Sequence, residues 1–366
     1  MAYVCKNLDE TLLAAAGEVV AERFCPEAAK MLRRLFANPA LEPGDDIGSV
    51  VCDGDRVVGV SGAIARRLYF GRESLRGING GFLSMRRDAP ATLLFALLKH
   101  SHRPREGNVL FYSNTCSPAT AKIKPCVGVK NHGPESWTCV RYAVLRHYPA
   151  FRRRVARKLG LTLPKRLPFF AAPVSPLDCV RDGRVFAADR GLVVRAKQGF
   201  GWADEFFEKY LSGNDGVTGS RTTRELEWFF GDSVATGKSI AIAAEGTGGV
   251  EGYVVASPCM YDPERWLVVD AIALGNSAET LGLLFLAAKR AVLACSGASR
   301  LEVIGFPDLA RHVVERHFPR SRPTPCNEFA WGFSDPDSAQ RCESAIAAGK
   351  GWFFGPYDGD LCLCPQ

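Results

Sequence analysis

The stretch Trp266–Ala294, WLVVDAIALGNSAETLGLLFLAAKRAVLA, decides how this chain reads. Its first part is apolar and rich in branched side chains, which predicts a strand over Trp266–Ala273. The polar turn Gly275-Asn276-Ser277 follows, and then apolar residues at helical spacing predict a long helix over Ala278–Ala294. The first half holds the same succession: a strand near Gly77–Met85, the turn Arg86–Pro90, and an apolar helix over Ala91–His100.

Working outward, the neighbours of these two segments also repeat. In the first half, Leu8–Phe24 and the segment from Pro26 predict two helices. Gly48–Cys52 and Val57–Ile64 form a hairpin about Asp53-Gly54-Asp55. After the apolar helix come a strand at Asn108–Ser113, a short helix at Ser117–Lys124 and a last strand at Ser136–Leu145. In the second half, helices are predicted at Trp202–Leu211 and Thr222–Phe230, and a hairpin joins Ser239–Ala244 to Gly252–Ser257. Beyond the long helix come a strand at Arg300–Gly305, a helix at Asp308–His317, a strand at Glu328–Phe333, and an ending through Trp352–Phe354 and the Tyr357-Asp358-Gly359-Asp360 turn. One unit of well over a hundred residues thus occurs twice, a period too long for a solenoid.

Composition is that of a folded, water-soluble chain: 366 residues, 47% hydrophobic and 23% charged. The first residues lack the pattern of a secretory leader, and the longest apolar helix carries Glu279, Lys289 and Arg290, so no stable membrane insertion and a cytoplasmic location are expected. Of the 13 cysteines only Cys362 and Cys364 lie close together, and that spacing suits neither zinc nor a redox pair; reduced, mostly buried thiols and no metal are expected. The net charge is +7, and eight Lys or Arg with no acid fall between Arg146 and Leu177.

Hairpin, strand, long helix, strand, helix and strand pair is the element order of the GNAT fold. The chain resembles a tandem GNAT-like acyltransferase, with the two-copy plan of the FemABX-type ligases. The resemblance implies an α/β (α+β) chain of two GNAT-like domains, each a mixed, mainly antiparallel sheet flanked by helices. Residues 1–145 would be a degenerate N-terminal copy, 146–176 a basic, proline-rich linker, and 177–366 the active C-terminal copy.

In that family a thioester's pantetheine arm lies where the strand before the long helix splays from the next strand. The resemblance thus implies donor contacts along Ala271, Ile272, Ala273 and Leu274. The loop that opens the helix holds the pyrophosphate, usually through R/Q-x-x-G-x-G/A. The first copy has Arg86-Arg87-Asp88-Ala89-Pro90-Ala91-Thr92, without glycine and with one amide removed by Pro90. The second has Leu274-Gly275-Asn276-Ser277-Ala278-Glu279-Thr280, where Gly275 and the following amides form an anion nest. Glu279 either repels phosphate there or completes a capping box from Asn276.

Acyl transfer to an amine needs a base and an acid. The resemblance implies Asp270 as base, and its apolar neighbours point to a raised pKa. A hydrogen-bonded structural role is the alternative. The first copy has Asn79 and Ser84 on the matching strand. For the acid, His312 and His317 stand on the second copy's short helix and Lys124 near the first's, and Asn114 matches a position that contacts the donor arm. Cys116 and Cys126 with His132 would form a Cys-His pair but carry no family signature. Ala235-Thr236-Gly237-Lys238-Ser239 ends like a phosphate loop but lacks the upstream glycine.

The expected reaction is attack of a small-molecule amine on a thioester: acyl-CoA, acetyl-CoA or a carrier-protein phosphopantetheine. The basic segment 146–166 is a docking face for an acidic acyl or peptidyl carrier protein or for aminoacyl-tRNA, or a solvated connector. A FemABX-like, aminoacyl-tRNA-dependent amide ligase and a non-catalytic binding module on the same fold are the alternatives.

Overall fold

The structure, a computed structural model, describes residues 3–24, 26–103, 109–116, 118–131, 139–147, 183–259, 262–306, 310–323 and 328–347, together with Val155, Lys158, Leu177, Asp178 and Tyr357. The segment 148–176, apart from Val155 and Lys158, lies outside them, and with it most of the basic linker read as a docking face. The strand at Trp352–Phe354 also lies outside them, as does His132.

In chain order the first part holds β1 (Tyr3–Asn7), α1 (Leu13–Arg23), α2 (Pro26–Leu35), β2 (Gly48–Asp53), β3 (Arg56–Phe70), β4 (Glu73–Met85), α3 (Thr92–Ser101), β5 (Val109–Cys116), α4 (Pro118–Ile123), β6 (Lys130–Asn131) and β7 (Cys139–Val144). There follow β8 (Val185–Asp189), β9 (Leu192–Lys197), α5 (Ala203–Gly213), β10 (Val217–Gly219), α6 (Thr223–Leu226), α7 (Asp232–Ala235), β11 (Ile240–Gly246), β12 (Gly249–Cys259) and β13 (Asp262–Ala273). The last are α8 (Ala278–Cys295), β14 (Arg300–Val303), α9 (Arg311–His317), β15 (Arg320–Pro323), β16 (Glu328–Phe333) and α10 (Pro336–Ala347).

Two compact units result, and neither is one run of sequence. The first comprises Met1–Thr138, Asp215–Ser220 and Thr324–Cys364; the second comprises Cys139–Asn214, Arg221–Pro323 and Pro365–Gln366. The division expected after residue 145 therefore gives way to an exchange of segments. The strand read as the last of the first half, β7, pairs with β14 and β15 in the second sheet. The strand read into the second half, β16, pairs with β5 and β6 in the first. Hydrophobic pattern marks a strand but not its partner, so the exchange had no signal in the sequence.

The first sheet has the order β1-β2-β3-β4-β5-β16-β6, with β10 added along the far end of β3. The hairpin about Gly54 forms as expected, with Asp53 opposite Arg56 and Gly54 at φ 59°. Strand β3 runs past Ile64 to Phe70, and Arg66 is 2% exposed, with its guanidinium over the Tyr357 ring at 4.2 Å and donating to Ser220 O at 3.3 Å. A charged residue inside a strand is tolerated because the ring and the carbonyl replace its water.

The second sheet has the order β15-β7-β14-β13-β12-β11-β9-β8. The β8–β9 hairpin, β1, β10, β15 and α10 were not read from the sequence; they are short, or polar at their exposed positions. α8 lays Leu281, Leu284, Phe285, Ala288, Ala291 and Val292 on the face of β11–β14 that carries Ile242, Val254, Val268 and Leu301. That spacing is one continuous helical stripe. β11 is apolar and buried from Ile240 to Ala244, as a strand covered on both faces should be. Cys295, at the end of α8, is disulfide-bonded, which corrects the expectation of reduced thiols at that position, while Cys5, Cys52, Cys126, Cys139 and Cys259 are free. Sequence separation had given no hint of a pairing.

Trp331 on β16 is 2% exposed. Trp331→Ala is expected to cost about 3–5 kcal/mol, read from urea unfolding of the whole chain; an unchanged midpoint would remove β16 from the first core.

Candidate active site

The second sheet opens where β13 and β14 part. These parallel strands pair at Arg265 with Arg300, Trp266 with Leu301 and Leu267 with Glu302, and no further, although β13 continues to Ala273. Along Val268–Ala273 the strand keeps β12 on one edge, so the other edge offers backbone donors and acceptors. The first unit repeats the feature. β4 and β5 pair from Arg76–Val109 to Asn79–Tyr112, and β4 runs on to Met85.

A bulge sits at the opening. Val255 faces Asp270, but the next residue of β12, Ala256, faces Val268, which leaves Val269 as the extra residue. An inserted residue changes which face the following side chains take. Trp266, Val268, Ala271 and Ala273 belong to the core under α8, while Asp270 turns to the opposite face.

There the Asp270 carboxylate is 2% exposed and fully engaged. Arg221 Nη2 donates to Oδ1 at 3.1 Å and Arg221 Nε to Oδ2 at 3.2 Å, a two-pronged ion pair with both side chains buried. The Tyr253 hydroxyl also donates to Oδ2. The Tyr253 ring is fixed in turn by Trp202 at 5.1 Å and Phe206 at 5.5 Å. The sequence placed Asp270 among apolar neighbours along its own strand; it gave no sight of Arg221, which arrives from a segment 49 residues away. A guanidinium beside a carboxylate favours the charged form and opposes the effect of burial. Arg221 is positioned by the helix start that follows it. Thr222 caps α6, its hydroxyl accepting from Glu225 N at 3.4 Å and donating to Glu225 Oε2 at 3.0 Å.

The loop into α8 keeps the expected bend. Gly275 and Asn276 both take left-handed backbone, at φ 57° and 53°. The cap, however, is Ser277, whose hydroxyl accepts from Thr280 N at 3.2 Å. The capping box from Asn276 to Glu279 does not form. Glu279 instead reaches Arg190 at 3.0 Å, both being largely exposed, which draws its charge away from the helix start. The matching first-unit loop is less open to an anion: Arg86 binds Glu18 at 3.1 Å and also Glu22, and Asp88 binds Arg56 at 2.8 Å.

His312 is exposed on α9 and makes no hydrogen bond to Asp270 or to the loop. His317, on the same helix, is half-buried against α8. Lys289 Nζ lies 3.3 Å from its Nδ1, and burial first, then the Lys289 and Arg316 charges, push its pKa down to about 4. Asn79 and Ser84 are buried in the first unit, and Lys124 is 3% exposed. Asn114 lies within β5 itself; its side chain and that of Cys116 are outside the described ones. Among the described residues no cluster of His, Cys, Asp and Glu could hold a metal, and no helix is long and apolar enough to cross a membrane.

No family model matches the sequence, and no curated protein matches it. Solved structures do. A GCN5-related N-acetyltransferase from Anabaena variabilis superposes with a TM-score of 0.54 at 10% identity, over 91% of this chain and 73% of that one. The GCN5-related N-acetyltransferase of Kribbella flavida gives 0.53 at 14% identity, over 92% and 73%. The fold is GNAT-like. Saccharomyces cerevisiae N-myristoyltransferase with bound myristoyl-CoA gives 0.51 at 11% identity, over 90% and 78%. Identities this low speak to fold alone.

Two outcomes follow from the geometry. Arg221→Met leaves the Asp270 charge buried without its partner and is expected to cost about 3–5 kcal/mol in denaturant unfolding, whereas Arg221→Met with Asp270→Leu recovers most of the loss. A double variant no more stable than the single would show that the pair is not what holds this face. His317 binds its proton more weakly folded than unfolded, so its contribution to stability is complete above about pH 6.5 and is lost as pH falls toward 4. His317→Gln is expected to flatten the fall of Tm over that range; an unaltered slope would contradict the assignment.

Proposed function

We propose that the chain is an acyltransferase. Its second unit holds an acyl thioester along the unpaired edge of Val268–Ala273, and an amine attacks the thioester carbonyl. The observation that carries the reading is the early end of β13–β14 pairing. A thioester's amide-bearing arm can occupy the vacant edge as a short strand, with its two amides meeting backbone groups that have no strand partner on that side. The left-handed turn at Gly275-Asn276 and the capped start of α8 follow directly, where the donor's phosphates would meet helix amides.

Donor contacts would run through Ala271, Ile272, Ala273 and Leu274 into Gly275, Asn276, Ser277, Ala278 and Glu279. The likeness of fold to N-acetyltransferases and to a myristoyl-CoA-bound transferase supports a CoA-linked donor. The second unit is the better equipped, because Arg86 and Asp88 at the first loop are committed to ion pairs. We assign Asp270 a positioning role: held by its ion pair with Arg221, it accepts the hydrogen bond of the Tyr253 hydroxyl and acts on the proton of the amine through that hydroxyl or a water. His312 stands as an acid only if α9 brings it to the bound donor.

Gly275→Val places a β-branched side chain at φ 57°, a left-handed backbone that such residues adopt only under strain. It is expected to raise the KM for acyl-CoA at least about tenfold, near 1.4 kcal/mol, with a smaller change in kcat. Calorimetry with acetyl-CoA, longer acyl-CoAs and an acyl carrier protein reads donor binding directly; no binding of any of them would sink the acyl-thioester reading. Asp270→Asn is expected to lower kcat while leaving the acidic limb of the pH profile in place, whereas loss of that limb would make Asp270 the base itself.

A further inference from the structure

At the point where β13 and β14 part, the second sheet carries more positive than negative charge. Glu302, directly opposite Leu267 at the last paired position, is 2% exposed. Three guanidiniums converge on it. Arg265 donates through Nη2 at 2.7 Å and Nε at 3.2 Å, Arg322 donates through Nη2 at 3.2 Å, and Arg300 Nε lies 2.8 Å away. Among the described residues one further acid reaches the group: Asp262 Oδ2, 3.7 Å from Arg300. Three cations thus face two carboxylates. Register adds a fourth cation, because Arg320 stands opposite Tyr142, which stands opposite Glu302.

The side chains of Arg265, Arg300 and Arg322 are 19%, 28% and 36% exposed, against 3% for Glu302. The carboxylate is therefore enclosed while guanidinium donors remain open to solvent. Arg322 Nε is buried without an acceptor among the described residues. Burial first, and the neighbouring Arg265 and Arg322, hold Arg300 below its ordinary value despite the pull of Glu302. A buried carboxylate that only needed neutralising would be served by Arg265 alone.

The face is informative too. Arg265, Leu267 and Asp270 project to one side of β13, since the bulge at Val269 restores them to a common face away from α8. At ~3.3 Å per residue, Arg265 lies roughly 25 Å from Ala273, where the donor's phosphates would begin. The phosphates of one donor cannot serve both ends. What meets the arginines is whatever comes to the thioester end of the groove.

Resting on the acyl-transfer reading, we infer that the acceptor is an anionic amine, whose carboxylate or phosphate is bound by Arg300 and Arg322 beside Glu302. Arginine suits this task because its planar fork meets either anion through two parallel N–H groups. Glu302 in turn fixes the arginines in place and, through its own charge, keeps the subsite from binding anions without discrimination.

Matched amines test this: glycine against glycinamide, and phosphoethanolamine against ethanolamine, titrated calorimetrically into the whole chain with and without a CoA thioester. The anionic member of each pair is expected to bind at least tenfold more tightly, and Arg300→Gln with Arg322→Gln to abolish the difference. Arg265 keeps Glu302 paired in that variant, and Arg300→Lys with Arg322→Lys retains charge and should retain much of the preference. Equal binding within each pair, or a preference that survives the glutamine variant, overturns the inference. So does a variant that loses succinyl-CoA relative to acetyl-CoA while the amines are unaffected, since the anion would then belong to the acyl group. Because amine binding is read without a donor, an anion preference can stand even if no thioester binds, which separates this inference from the acyl-transfer proposal.

Discussion

A backbone amide inside a protein has to be paired, and one edge of β13 leaves that demand open. The strand is held along its whole length by β12 but by β14 only as far as Leu267. The surroundings keep that edge straight and presented. The α8 core anchors one face through Trp266, Val268, Ala271 and Ala273, and the Arg221–Asp270–Tyr253 group anchors the other. Without rigid support on both faces, the free edge would curl toward a neighbour or recruit a foreign strand. The bulge at Val269 lets a single strand serve two different environments.

Those environments are chemically opposed. The face under α8 is apolar, and its burial stabilises the unit by roughly 1.5–3 kcal/mol for each large side chain. The other face carries Asp270, Arg221 and Glu302 at near full burial, with Arg265 partly buried beside Glu302. Even closely paired, buried ions contribute little net stability compared with apolar side chains of similar volume, so a sheet selected for stability alone would not carry them in this density. Their placement, at the parting of the strands and just beyond it, fits preparation of a polar surface rather than closure of a core.

The fold was legible in the stretches whose period is unambiguous. Trp266–Ala273 followed by Ala278–Ala294, and Gly77–Met85 followed by Ala91–His100, declare strand then helix, and Gly54 declares the hairpin. Asp270 was legible as an unusual carboxylate in an apolar strand. Its chemistry was not, because the decisive neighbour, Arg221, sits before a helix cap and reads as an ordinary loop arginine. The Glu302 cluster was equally hidden: Arg265, Arg300, Glu302 and Arg322 lie on three strands, and only register brings them together. The short strands β8, β9 and β15 escaped for a related reason, since pairing along a sheet edge supplies order that so few side chains do not signal.

The exchange of β7 and β16 has a consequence for biosynthesis. Strand β5 leaves the ribosome early, but the strand that covers its edge, β16, is made only after the strands of the second sheet. At ordinary elongation rates the gap is on the order of ten to forty seconds. During that time the apolar β5 exposes a bare edge, and the first unit must wait as an unfinished sheet while the entire second unit is made. Non-local pairing of this kind slows folding, and the waiting species is the one a chaperone would have to shield. The exchange of strands along the sequence thus leaves the newborn chain most vulnerable until β16 has emerged.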